Sequence, residues 1–110
     1  MTLTETDLSA MVRTIVEAAQ PERIILFGSH ARGDAKPESD VDLLVITSET
    51  YGLHNSRRKA MIRLWRLLAD LPVSKDIVLF SQDEVAQWRT AKNHLIARVM
   101  KEGKVLYERH

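Results

Sequence analysis

Within the run ILFGSHARGDAKPESDVDLLVIT, Gly28 and Ser29 are followed, after a ten-residue spacer, by Asp40, Val41 and Asp42. A glycine beside a hydroxyl lets the backbone turn tightly and approach a phosphate closely. Side chains in an extended segment alternate between faces, so Asp40 and Asp42 project together while Val41 turns away. Paired carboxylates on one face are the hard oxygen donors that divalent cations take. The pattern therefore points to metal-assisted chemistry on a nucleotide, in which charge moving onto phosphoryl oxygens is stabilised by cations and positioned donors. Asp76 stands at the start of a further apolar run, Ile77 to Phe80. Laid beside the strand at 40–47, its carboxylate would join the pair and could accept the proton of an attacking hydroxyl. Arg32, with Lys36 after it, lies on the spacer and carries the charge to meet departing phosphates.

The elements that must position these residues can be read from period and punctuation. Leu8, Met11, Val12, Ile15, Val16 and Ala19 recur at helical spacing, after the capping candidates Thr4 and Thr6 and before Pro21. Arg23 to Gly28 and Asp40 to Thr47 read as strands, with 29–39 as the loop between them. A second helix is expected from about Leu53 to Leu71, with Ala60, Met61, Leu64, Trp65, Leu67 and Leu68 apolar and Arg57, Arg58, Lys59, Arg63 and Arg66 forming a basic side, read as a solvated face ahead of a docking surface for an acidic partner or RNA. Ser81 to Glu84 has the form of a capping box for a third helix. A last helix from about Asn93 to Glu102 stops at Gly103, and a brief strand follows at Val105 to Tyr107.

The 110 residues suit one domain with one core, and leave no length for a second, acceptor-binding lobe. Sixteen Lys and Arg against fifteen Asp and Glu give a net charge of +1, which speaks against the broad basic field of a general nucleic-acid binder. With no cysteine, disulfides and thiolate metal sites are excluded, and any metal must take oxygen or imidazole ligands. The apolar runs are too short to span a bilayer and the N-terminus is acidic where a signal peptide is positive, so a cytoplasmic protein with no membrane partner is expected. Trp65 is read as core and Trp88 as a candidate interface residue. His30, His54 and His94 show no ligand spacing, and His110 is terminal. The spacing of Arg89 and His94 imitates an Arg-x4-His ribonuclease motif, but that motif belongs to all-helical bundles and here follows three strands.

Over almost its whole length, through LFGSHARG, SDVDLLV, KDIVLF and GKVLYE, the chain resembles the DNA polymerase beta-type nucleotidyltransferase superfamily, and within it the minimal nucleotidyltransferase (MNT) domains. The resemblance implies an α/β (α+β) fold with a short mixed sheet flanked by helices. It implies ATP and Mg²⁺ as cofactors, Gly28 and Ser29 as nucleotide-phosphate contacts, and Asp40, Asp42 and Asp76 as metal ligands and catalytic carboxylates. It also implies a helical HEPN-type partner, either a toxin that the domain adenylylates or a substrate-binding subunit. The expected function is transfer of AMP to a hydroxyl, a tyrosine of a cognate toxin first among acceptors. The alternatives are a catalytic subunit for a small-molecule acceptor and a non-catalytic binding module. Apolar residues left over in the C-terminal helix make a homo-oligomer a further expectation.

Overall fold

The computed structural model describes residues 4–48, 51–52, 56–92 and 94–109. In chain order these form α1 (Glu5–Ala19), β1 (Arg23–Phe27), α2 (Ser29–Arg32), β2 (Val41–Thr47), α3 (Arg57–Leu68), β3 (Lys75–Ser81), α4 (Gln82–Trp88), α5 (Leu95–Glu102) and β4 (Lys104–Glu108). The sheet has the order β3-β2-β1-β4. β1 runs antiparallel to both β2 and β4, whereas β2 and β3 are parallel. The sheet is therefore mixed, as expected. A parallel pair cannot be joined by a hairpin, and α3 supplies the crossover between β2 and β3.

Strand alternation divides the apolar side chains into two sets, and each set has its own helical cover. Ile24, Leu26, Val41, Leu43, Val45, Ile77 and Leu79 face Met11 and Ile15 of α1 and Leu64 and Leu68 of α3. Ile25, Leu44 and Ile46 face Val85 of α4 and Ile96 and Val99 of α5. β2 is covered on both sides, which is why LLVI is a continuous apolar run where a half-exposed strand would alternate. Each fully buried Ile or Leu in these layers contributes about 1.5–3 kcal/mol of transfer free energy.

The caps follow the sequence closely. Thr4 is the N-cap of α1 and shares a reciprocal capping box with Asp7, so Thr6 lies inside the helix. Ser81 and Glu84 form the second box, at α4. Three expectations are corrected. The spacer is not loop throughout, because Ser29–Arg32 makes one helical turn closed by Gly33. The second helix starts at Arg57, with Ser56 as its cap, and ends at Leu68; Leu53 and His54 of the expected start lie outside the described residues, as do Asn93 and His110. Trp65 is not core but 36% exposed, and Leu67 is 48% exposed. Ala60, Met61, Leu64 and Leu68 already fill the inward stripe of α3, so Trp65, about 100° around the helix from Leu64, is turned outward.

Candidate active site

The site is assembled where β1 ends and β2 and β3 begin. Register sets Phe27 opposite Asp42, and Asp42 opposite Asp76. Cross-strand partners share a face, so both carboxylates stand at the head of the face that continues into Leu44 and Ile46. Neighbouring strands lie about 4.8 Å apart, which sets the two aspartates side by side. At this end of the sheet Asp76 is exposed and Asp42 half-buried.

Asp40 is the residue just before β2, and its carboxylate is turned to Ser74, whose hydroxyl donates to Asp40 Oδ1. Ser74 also accepts the Val41 amide through its carbonyl at 2.9 Å. Ser74 was not foreseen, because only the parallel register brings the residue before β3 against the residue before β2. As they stand, the acidic and imidazole side chains of the described residues form no group of three around one point. The register thus sets Asp42 and Asp76 opposite each other, while the Asp40 carboxylate, expected to join them, is turned to Ser74.

The electrostatics agree with that geometry. The Asp42 carboxyl is pushed above its ordinary value, first by burial and then by the charges of Asp76 and Asp40, while His30 and Arg32 pull it down without cancelling the rise. Three carboxylates therefore share a region short of positive charge. Carboxylate oxygens are the hard donors that Mg²⁺ takes, and Asp42 and Asp76, with Asp40 beside them, are the residues that could hold it.

Gly28 carries the turn between β1 and α2 at φ 75° and ψ −155°, a region essentially confined to glycine. The backbone therefore requires glycine, and a Cβ here would overlap the Asp42 carboxylate, which would have to turn aside. Ser29 then opens α2, and the first amides of a helix have no intrahelical acceptor, an arrangement suited to phosphate oxygens. His30 Nε2 lies 3.2 Å from the Ser39 carbonyl, to which a protonated Nε2 donates. This bond ties the end of the spacer to its start and so helps fix the approach to Asp40.

A cavity of about 320 Å³ opens beside these groups, lined by Gly28, Ser29, Arg32 and Asp42 on one side and by Leu95, Arg98 and Glu102 of α5 on the other. Arg32 thus lines the cavity, although its Nε also pairs with Asp34 at 3.3 Å. Lys36 does not line the cavity. The α5 wall is new. Leu95, Arg98 and Glu102 are spaced three and four apart, one face of a helix, yet nothing local reveals that this face closes over the turn at Gly28. Larger grooves exist elsewhere, but the one along α1 and β4 is lined by Leu8, Val12, Val16 and Tyr107, remote from the carboxylates. Arg89 and His94 have structural roles: Arg89 ends α4, and His94 Nδ1 caps α5 by accepting from Ile96 while its ring stacks on Trp88 at 4.7 Å.

Several known proteins are similar to this chain. A candidate protein adenylyltransferase of Methanocaldococcus jannaschii is 61% identical over 28 residues, which are 26% of this chain and 28% of that protein. A candidate nucleotidyltransferase from Sulfolobus solfataricus has a similar structure, with a TM-score of 0.55 at 19% identity over 99% of this chain and 93% of its own. A toxin-antitoxin crystallised with AMP-PNP has a TM-score of 0.58 at 24% identity, over 98% of this chain and 76% of its own. A mutant of the toxin-antitoxin MntA-HpeT has a TM-score of 0.60 at 22% identity, over 98% of this chain and 75% of its own. At these identities the likeness is one of fold. The family Polymerase beta, Nucleotidyltransferase matches residues 11–110. Because that match covers the glycine-serine turn and the acidic starts of both β2 and β3, the chain belongs to the polymerase beta nucleotidyltransferase family.

Proposed function

We propose that this chain transfers AMP from ATP to a tyrosine hydroxyl of a helical HEPN-type toxin, and is the antitoxin of that pair. The observation that carries the reading is the junction of Gly28 and Ser29 with Asp42 at one cavity, with Asp76 set opposite Asp42 by the strand register. The names of the similar proteins, one a candidate protein adenylyltransferase and two toxin-antitoxin assemblies, give the acceptor and partner their motive. In this reading Ser29 Oγ and the first amides of α2 take the triphosphate oxygens, and the Arg32 and Arg98 guanidinium groups face the departing pyrophosphate. Asp42, Asp76 and Asp40 hold Mg²⁺, which when bound neutralises charge on the phosphates. The acceptor oxygen attacks the α-phosphorus, its O–P bond forming as the bond to the β-phosphate oxygen breaks. Pyrophosphate leaves, and the hydroxyl proton passes to the exposed Asp76 carboxylate.

The test incubates the protein with ATP labelled at the α-phosphate, Mg²⁺ and a purified HEPN toxin encoded beside it or, failing that, lysate of its own host. A labelled protein whose adduct maps to tyrosine, formed by the native chain and lost with Asp42→Asn, is expected. Label on a small molecule would refute the protein acceptor, and label undiminished by Asp42→Asn would refute the site. Neutralisation of the toxin that survives loss of Asp40 and Asp42 would replace transfer with binding alone.

A further inference from the structure

α3 has two faces, and the sheet uses one. Ala60, Met61, Leu64 and Leu68 pack inward. On the opposite side Lys59, Ile62, Arg63, Arg66 and Leu67 line a groove of about 460 Å³. Ile62 is 40% exposed, and Trp65 and Leu67 are exposed beside it. The twelve residues of α3 include five cations and no Asp or Glu. Arg57 alone is paired, with Glu84; Arg58, Lys59, Arg63 and Arg66 enter no ion pair among the described residues.

This arrangement is unfavourable for a helix that only meets water. Lys59 and Arg63 are four apart and Arg63 and Arg66 three apart, spacings at which like charges repel. Arg57, Arg58 and Lys59 occupy the first turn, where the helix dipole disfavours positive charge. Apolar side chains stand among the cations, where a purely solvated face would carry polar ones. Each of these costs turns into a gain against an occupant that brings carboxylates and apolar groups at matching spacing.

We infer that the outer face of α3 docks an acidic amphipathic helix of a partner protein. A second copy of this chain through the same face is disfavoured, because it would set cation against cation. A nucleic-acid backbone would meet the guanidinium groups but leave Ile62 and Leu67 uncovered, whereas a helix with carboxylates flanking an apolar stripe satisfies both. α3 is the crossover between the parallel strands β2 and β3, so it runs back toward the end of the sheet where Asp76 stands. It packs, however, on the sheet face opposite the one that carries Asp42 and Asp76, so the docking surface and the candidate active site lie on opposite faces of the sheet. The inference rests on the surface of α3 and is independent of the transfer reaction.

The test uses a fluorescein-labelled synthetic helix with glutamate on one face and leucine at helical spacing on the other. Beside it run a peptide of the same composition in scrambled order and a single-stranded RNA oligonucleotide. Binding is followed by anisotropy with the full chain and with two double variants, Arg63→Glu/Arg66→Glu and Ile62→Ser/Leu67→Ser. The amphipathic peptide is expected to bind the native chain, more weakly as salt rises, and to lose about tenfold or more in affinity with either variant. Melting curves establish that the variants fold; should charge reversal unfold the chain, Arg63→Gln/Arg66→Gln replaces it. Equal binding of the scrambled peptide would reduce the surface to non-specific ion exchange. RNA bound more tightly than the peptide, and released by Arg63→Glu/Arg66→Glu, would assign the face to nucleic acid. Either result, or no binding of the amphipathic peptide, overturns the inference.

Discussion

Gly28→Ala adds a single methyl group at a residue held at φ 75° and ψ −155°. A non-glycine residue in that region costs about 1–3 kcal/mol. The new Cβ also overlaps Asp42 Oδ2, the end of a side chain that can turn aside at an off-rotamer cost of about 0.5–1.5 kcal/mol. A stiffer unfolded chain offsets about 0.4–1 kcal/mol of this. The expected loss is centred near ~2 kcal/mol, which at about 4 °C per kcal/mol lowers Tm by about 8 °C for a chain of this size. Asp42→Ala removes the atom that the methyl meets, so the same glycine substitution made in that background should cost only the backbone part. Thermal and urea denaturation of the four proteins closes the cycle, with an expected coupling of about 0.5–1.5 kcal/mol between positions 28 and 42. An equal cost in both backgrounds would refute the close approach of the turn to Asp42. A Tm unchanged or raised by Gly28→Ala would refute the backbone argument as well.

Four further outcomes are expected. Asp42 binds its proton more tightly in the folded chain than in the unfolded one, so the stability it contributes is present at acid pH and lost as pH rises through its raised folded value. In metal-free buffer Asp42→Asn should therefore raise Tm at pH 7 and flatten the acid side of the stability profile, and a lower Tm would contradict the assignment. Burial pushes the Glu84 carboxyl up, but the Ser81 amide and Arg57 outweigh it and hold it below its ordinary value. Its contribution is present above that ordinary value and lost as pH falls through the lowered one, so Glu84→Gln should lower Tm at pH 7 and converge on the native protein in acid; Ser81→Ala, which removes the cap itself, should cost about 1 kcal/mol in urea denaturation. Arg98→Ala, on the exposed wall of the cavity, should weaken Mg²⁺-ATP binding about three- to tenfold by calorimetry with Tm unchanged, and unaltered affinity would remove α5 from the nucleotide site.

Much of this protein is decided locally. The glycine and hydroxyl after an apolar run, the alternating aspartates before another, and the boxes at Thr4–Asp7 and Ser81–Glu84 act over a few residues. Neighbours in the chain are enough to determine a turn, a strand face or a cap. For that reason the order of the elements other than α2, and Gly28, Ser29, Arg32, Asp40, Asp42 and Asp76 as candidate site residues, could be read directly from the sequence. Tertiary structure decided how they meet. Parallel register sets Asp76 beside Asp42 and brings Ser74 to Asp40, choices made by pairing across a crossover and absent from either segment alone. The inward stripe of α3 was filled without Trp65, because the helix rotated to bury Leu64 and Leu68. The wall of Leu95, Arg98 and Glu102 belongs to the site only because α5 lies across the end of β1. Periodicity reports which side of a helix is apolar, but what stands opposite that helix depends on the packing of the whole sheet.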